Sequence, residues 1–126
     1  MKAVLLDANG LCAQEQFRVD VLGQLLELGF DEFLVTRCVL RELERLRASG
    51  SARERAAAEV GATLVPRCRV IEDDPSASDC DDSIARKAKE LNAAVLSLDR
   101  FLRRKLRAQG TPAVYLRGGK RLEQSA

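Results

Sequence analysis

The sequence predicts an α/β fold built on a mostly parallel sheet, and three observations carry that expectation. Short, continuous apolar runs recur at residues 4–6, 33–35, 93–96 and 113–116. Runs that are apolar at every position suit strands buried on both faces, whereas half-exposed strands alternate. Longer segments with helical spacing lie between these runs, so strand and helix alternate along the chain. Carboxylates follow two of the runs, Asp7 after Leu6 and Asp99 just beyond Ser97. Open parallel sheets bind ligands there, beyond the carboxyl ends of their strands.

The elements follow in order. Val4-Leu5-Leu6 is the first strand, closed by Asp7-Ala8-Asn9-Gly10. Phe17, Val21, Leu22, Leu25, Leu26 and Leu28 predict a helix over 14–28, ended by Gly29. A strand at 33–35 precedes a helix that Thr36 can cap, with Val39, Leu40, Leu43 and Leu46 on its apolar face. Residues 48–51 break it, and an Ala-rich helix over 52–60 stops at Gly61. A strand at 69–71 leads into a loop over 72–80 that holds Pro75. Asp81 or Asp82 then opens a helix with Ile84, Ala85, Ala88 and Leu91 inward. A buried strand over 93–97 is followed by a basic helix over 101–108, closed by Gly110. A strand at 113–116, a Gly118-Gly119 turn and a short strand at 121–122 complete the chain. No repeat, linker or low-complexity tract interrupts it, and right-handed crossovers are expected.

A chain of 126 residues suits one domain spanning 1–126, with a substantial core. Hydrophobic residues at 46% and charged residues at 32% exclude a disordered chain. No apolar stretch approaches a membrane span, and residues 1–6 are too short for a signal-peptide core, so a soluble, cytoplasmic protein without a membrane partner is expected. The net charge of +2 decides little, but its distribution is uneven. Acids cluster at 72–74 and 79–82, while residues 100–121 contain no Asp or Glu. That asymmetry suits a cation site beside a surface for polyanions.

Cys12, Cys38, Cys68 and Cys80 lack the paired spacing of a zinc site, so buried thiols in a reducing cytosol are expected. The chain has no histidine, which excludes Ser-His-Asp and Cys-His machinery. Any acid–base work falls to carboxylates, lysines or metal-activated water.

Asp7, Glu42, Asp81 and Asp99 stand out by position. Each also has a plain structural use: Asp7 and Asp99 can start turns, Glu42 can pair with Arg41 or Arg45, and Asp81 can cap a helix. Gathered within a few ångströms, they would repel one another and must protonate or bind a cation. Hard oxygen donors favour Mg²⁺ or Mn²⁺, ions that assist phosphodiester cleavage.

With these residues in place, the chain resembles the PIN-domain nucleases over nearly its whole length. Val4-Leu5-Leu6-Asp7-Ala8-Asn9 is similar to the family's opening strand. Thr36-Arg37-Cys38-Val39-Leu40-Arg41-Glu42-Leu43 is similar to its second motif, Asp81-Asp82-Ser83-Ile84 to its third, and Leu96-Ser97-Leu98-Asp99-Arg100 to its fourth. The tail, from Leu102-Arg103-Arg104-Lys105-Leu106 through Tyr115-Leu116-Arg117, looks most like the archaeal and eukaryotic ribosomal-RNA-processing branch. Asp79-Cys80 departs from the small residue that usually precedes the third-motif Asp, so either Asp81 or Asp82 is the third ligand.

The resemblance implies a three-layer α/β/α sandwich and a metal-dependent endoribonuclease site using Mg²⁺ or Mn²⁺. It assigns Asp7, Glu42, Asp81 and Asp99 to metal coordination and catalysis, with Asp82 as substitute or addition and Asn9 and Ser97 in support. The products would carry a 5′-phosphate and a 3′-hydroxyl. Arg100, Arg103, Arg104, Lys105 and Arg107 are candidates for RNA phosphate contacts, on a helix that buries Phe101, Leu102 and Leu106. With aromatics at 4%, base stacking is expected to be minor.

Beside RNA, the candidate partners are a second copy of the chain, a ribosome-assembly factor or an antitoxin. Rival readings are a non-catalytic PIN-like scaffold and the ribonuclease toxin of a toxin–antitoxin pair. A haloacid-dehalogenase-type phosphatase is a weaker rival. Its Asp-x-Asp-Gly opening is similar to Asp7-Ala8-Asn9-Gly10, but Asn9 replaces the second carboxylate.

Overall fold

The computed structural model describes residues 2–125. Met1 and Ala126, the ends of the expected domain, lie outside the described residues. The elements are β1 (Ala3–Leu6), α1 (Ala8–Phe17), α2 (Val21–Glu27), β2 (Glu32–Thr36), α3 (Arg37–Ser49), α4 (Ala52–Leu64), β3 (Arg69–Ile71), α5 (Cys80–Glu90), β4 (Ala94–Leu96), α6 (Arg100–Ala108), β5 (Ala113–Arg117) and β6 (Arg121–Gln124).

They form one sheet in the order β3-β2-β1-β4-β5-β6. The first five strands run parallel, and β6 returns antiparallel against β5. The α/β fold read from the apolar runs is the fold observed. Val4, Leu5 and Leu6 are each almost wholly buried, because β1 has β2 and β4 as neighbours and helices above and below. Among the helices, α1, α3 and α4 pack on one another and α5 packs on α6. Right-handed crossovers put the connections that step from β1 to β3 on one face and those that step from β3 to β5 on the other. Strand order therefore reverses between β1 and β4, and the carboxyl ends of these two strands carry Asp7 and Asp99.

The expected helix over 14–28 is two helices. Arg18 takes a left-handed backbone conformation (φ 55°) that ends α1, and Asp20 starts α2 by accepting the Gly23 N–H at 3.1 Å. Helical spacing continued across the break because both helices bury apolar side chains in the same core. α1 itself begins earlier, at Ala8, where Asp7 is its N-cap. Gly10 lies where α1 crosses β4: a Cβ there would stand 2.9 Å from Leu96 Cγ and 3.0 Å from its carbonyl oxygen.

Gly61 does not stop α4, which runs on to Leu64 and a short 3₁₀ turn at Val65–Arg67. Its role is packing, since a Cβ would lie 3.1 Å from the Leu11 backbone of α1. Thr36 occupies the N-cap position of α3 without a side-chain cap bond. The Cys38 N–H is instead satisfied by Asp73 Oδ1 at 3.2 Å, from the loop before α5. That loop also delivers the true cap of α5: Asp79, not Asp81 or Asp82, accepts the Asp82 N–H at 2.8 Å, and the helix begins at Cys80. Leu91, expected inward, caps the end of α5 and is exposed.

The expectation of four free thiols is also corrected. Cys38 and Cys80 form a disulfide between the starts of α3 and α5, with Cα atoms 5.7 Å apart. Cys12 is buried and Cys68 partly buried, both free. Sequence gave no sign of the pair because its members sit 42 positions apart and meet only through the sheet crossover. Among the described residues, no helix is long and apolar enough to cross a membrane.

Candidate active site

A cleft of about 850 Å³ opens at the point where strand order reverses, and Asp7, Glu42, Asp81 and Asp99 all line it. They arrive from four places: the end of β1, the second turn of α3, the first turn of α5, and the segment between β4 and α6. Parallel topology makes this convergence possible, because strand ends and helix starts share one edge of the sheet.

Asp7 is the most enclosed, with 6% of its surface exposed. Its Oδ1 accepts the Gly10 N–H at 2.7 Å, the ordinary N-cap bond. Burial nevertheless pushes its carboxyl up to about 7, with the charges of Asp81 and Asp99 adding to the rise. The Ser97 hydroxyl and the Gly10 N–H hold it down in part, and no cation does so. Asp81 is raised too, by burial first and then by Asp99 and Asp79, against the pull of Lys105.

Glu42 behaves differently. Arg45, one turn along α3, donates to both its oxygens at 2.6 and 3.0 Å and holds its carboxyl below the usual range. Asp99 caps α6 by accepting the Phe101 N–H at 2.8 Å.

Asn9 and Ser97 brace this arrangement. Asn9 Oδ1 accepts the Leu98 N–H at 2.9 Å, and the buried Ser97 hydroxyl accepts the Asp99 N–H at 3.0 Å. Asp82 stands outside the cleft. Its oxygens take the Ser78 N–H at 3.0 Å, Lys105 at 3.0 Å and Arg86 at 2.9 Å, and these hold its carboxyl well below the usual range.

The donor set suits a hard divalent cation, being all carboxylate with Asp7 buried and uncompensated. Among the described residues, no three acidic or cysteine side chains stand close enough to enclose one ion as placed. Glu42 faces Arg45 and Asp99 faces its own helix, so gathering the set around an ion requires side-chain rotation.

Residues 4–119 match the family described as PIN like domain. The chain belongs to this PIN-like domain family. A ribonuclease from Archaeoglobus fulgidus, VapC9, is 34% identical over 122 residues, covering 97% of this chain and 88% of the relative. Among solved structures, the PIN domain endonuclease Utp24 superposes with a TM-score of 0.77 at 22% identity, covering 98% of this chain and 92% of that one. A domain of a Methanocaldococcus jannaschii protein of unknown function gives a TM-score of 0.65 at 18% identity, over 94% of this chain and 93% of its own. At these identities the two structures speak to the fold, and both carry the same α/β architecture.

In this PIN-like domain the basic helix α6 is split in use. Lys105 is engaged with Asp82, and Arg103 lies over the Tyr115 ring, 5.0 Å from its centroid. Arg100, Arg104 and Arg107 are exposed. Phe101 does not join Leu102 and Leu106 in the core, because it lies about 100° around the helix from Leu102, and it is 75% exposed. Residues that the sequence reading did not select also line the cleft, among them Arg18, Arg45 and Arg53. Arg45 was visible as the i+3 partner of Glu42. Arg18 and Arg53 reach the cleft only because α1 and α4 pack side by side, which no local pattern reports.

Proposed function

We propose that this protein is an Mg²⁺- or Mn²⁺-dependent endoribonuclease that hydrolyses RNA phosphodiesters. The observation carrying this reading is the placement of Asp7, Glu42, Asp81 and Asp99, from four separate elements, on one cleft at the strand-order reversal. Membership of the PIN-like domain family and the ribonuclease named among its relatives support it.

These four carboxylates would hold the ion, which when bound neutralises charge at the scissile phosphate and makes water a better nucleophile. Asp7 supplies a carboxylate that burial leaves without a counter-charge. Asp81 shares that deficit. Glu42 would join by exchanging Arg45, freeing that guanidinium for the RNA phosphate inside the cleft. Ser97 and Asn9 fix the backbone that carries Asp99. Asp82, tied to Lys105 and Arg86, serves to hold α5 against α6.

The test is cleavage of a panel of structured and single-stranded RNAs with Mg²⁺, Mn²⁺ or EDTA, for wild type beside Asp7→Asn and Asp81→Asn. Cleavage that needs metal and is lost in both variants supports the reading; cleavage that persists in both defeats the site assignment. For the cellular role we favour ribosomal-RNA processing, on the basic tail after Asp99. The toxin of a toxin–antitoxin pair is the alternative, and growth arrest relieved by the product of a neighbouring small gene would select it. A non-catalytic scaffold is favoured by one feature, the Glu42–Arg45 pair that occupies a candidate ligand. RNA binding without cleavage under either metal would select that reading.

A further inference from the structure

The Cys38–Cys80 disulfide stands in the wall of the cleft, between two of its carboxylates. Cys38 lies about one helical turn before Glu42 on α3, and Cys80 immediately precedes Asp81 on α5. Residues four apart share a face of a helix, so Cys38 and Glu42 look into the same cleft. The bond therefore ties the backbone that carries Glu42 to the backbone that carries Asp81.

Little else joins these two helices. α3 packs mainly on α4, α1 and β2, and α5 on α6, β4 and β1. Among the described residues, the cysteines aside, the polar links between α3 and α5 pass through Asp73 of the intervening loop. Asp73 accepts the Cys38 N–H at 3.2 Å, Arg41 at 3.1 Å and the Ser83 hydroxyl at 3.2 Å. Arg41 is largely exposed, and exposed ion pairs contribute little. Both cysteines are half-buried. They line the cleft on one side and, on the other, a smaller hollow of about 230 Å³ beside Asp73 and Ser83. Exchange at a disulfide depends on access to its sulfurs, and these two are reachable from solvent.

We propose that the Cys38–Cys80 bond is a thiol-exchange site whose state sets how tightly the cleft holds a divalent cation. The co-reactant is a dithiol. One of its sulfurs, as thiolate, attacks Sγ of one cysteine; the S–S bond breaks and the other cysteine leaves as a thiolate that takes up a proton. The second sulfur of the dithiol then attacks the mixed disulfide and releases the first cysteine. The dithiol is oxidised by two electrons to its disulfide, and the protein gains two thiols. A small-molecule disulfide runs the exchange backwards. With the bond closed, the starts of α3 and α5 are held with Cα atoms 5.7 Å apart, which fixes the backbone spacing of Glu42 and Asp81. With it open, only the Asp73 bonds and each helix's own packing oppose their separation. Gathering the carboxylates around an ion then costs more chain freedom. This rests on the reading of the carboxylates as a metal site and adds a control over that site.

The test is binding of Mn²⁺ alone to the whole chain, read from the electron paramagnetic resonance of the free ion. Wild type is titrated before and after treatment with dithiothreitol, which is removed without air. The double variant Cys38→Ser with Cys80→Ser and the single variant Leu122→Ala are titrated beside it. Mass spectrometry after alkylation in urea counts thiols: Cys12 and Cys68 before reduction, and Cys38 and Cys80 as well after it. Reduced wild type and the double variant are expected to bind Mn²⁺ roughly 10- to 100-fold more weakly than oxidised wild type, the range for losing support behind metal ligands. Oxidised glutathione should restore wild type and leave the double variant unmoved. Leu122→Ala removes a core side chain of β6 away from the cleft, so it should destabilise the fold and keep the Mn²⁺ affinity of oxidised wild type.

Equal Mn²⁺ affinity in the oxidised and reduced forms overturns the proposal, as does tighter binding after reduction. A matching loss in Leu122→Ala also overturns it, since the bond would then serve the fold at large. Alkylation of Cys38 and Cys80 before reduction overturns it by showing that the bond does not form. Wild type that binds no Mn²⁺ in either state defeats the metal-site reading, and the control over it as well, a result distinct from those above.

Discussion

The Asn9 side-chain oxygen accepts the Leu98 N–H at 2.9 Å. This bond crosses the strand-order reversal and ties the first turn of α1 to the segment carrying Asp99. Asn9→Ala leaves the Leu98 N–H without its partner, at an expected loss of about 1–2 kcal/mol. Thermal unfolding followed by circular dichroism should show a midpoint several degrees lower. Asn9→Asp keeps an acceptor but adds a negative charge beside Asp7 and Asp99, so its deficit should grow from pH 5 to pH 8. A deficit that is the same at both pH values would mean that Asn9 lies outside the field of these carboxylates.

Asp7 makes the metal-free protein sensitive to pH in a defined direction. Its carboxyl stands at about 7 in the fold against 3.8 for an unperturbed aspartate, so between these values the folded chain binds a proton that the unfolded chain releases. Stability should therefore fall as pH rises from about 4 to about 7 and stay low above it, by up to about 4 kcal/mol at 1.36 kcal/mol per unit. Asp81 acts in the same direction. Asp82 has the opposite shift, so its contribution is lost only in strong acid and is flat across this window. Asp7→Asn retains an acceptor for the Gly10 N–H and loses the charge. It should be more stable than wild type at pH 8 and similar at pH 4.5. Millimolar Mn²⁺ should raise the unfolding midpoint of wild type at pH 8 and do little for the variant. Urea titrations at the two pH values read all of these outcomes.

Much of this was readable from local chemistry. The apolar runs gave the strands because burial on both faces removes alternation, and Asp7 and Asp99 were conspicuous because a carboxylate directly after such a run needs a reason. What escaped depends on distance in sequence. The break at Arg18 was invisible because Phe17, Val21 and Leu25 keep helical spacing across it, although Phe17 is exposed and only Val21 and Leu25 lie in the core. Gly61 reads as a helix stop unless one knows that α1 crosses there. Asp82 and Asp81 are chemically identical neighbours, and only the positions of Lys105 and Arg86 set them apart. Phe101 was assigned to the core by its neighbours Leu102 and Leu106, although one residue along a helix is a turn of 100°.

The Cys38–Cys80 disulfide joins the two helices that bring Glu42 and Asp81 to the cleft. It closes a loop with a sequence separation of 42 residues, for which chain entropy gives about 4 kcal/mol of stabilisation. Polar contacts already join the same parts: Asp73 accepts from the Cys38 N–H, from Arg41 at 3.1 Å and from the Ser83 hydroxyl at 3.2 Å. Cys38→Ser and Cys80→Ser should therefore fold, each with a loss of up to about 4 kcal/mol in urea. Dithiothreitol should bring wild type to the same value and leave both variants unmoved. A wild type indifferent to dithiothreitol would show that the two thiols stay unpaired in solution.

The division of α6 into bound and free cations predicts two kinds of variant. Arg104 and Arg107 are exposed and unpaired among the described residues, so Arg104→Ala and Arg107→Ala should keep the unfolding midpoint of wild type. Each should weaken RNA binding on every probe and lower the slope of log affinity against log salt by about 1. Lys105→Ala should do the reverse. It strips Asp82 of one of its two cations, so the unfolding midpoint falls, while the salt slope hardly moves because that charge is already neutralised within the protein. Arg103→Ala belongs to neither class. Its guanidinium covers Tyr115 and its Nε is buried without a partner, so loss of both stability and affinity is expected. Fluorescence anisotropy at several salt concentrations, beside thermal unfolding, separates the groups. A full unit of slope lost in Lys105→Ala would mean that this lysine leaves Asp82 for a phosphate when RNA binds.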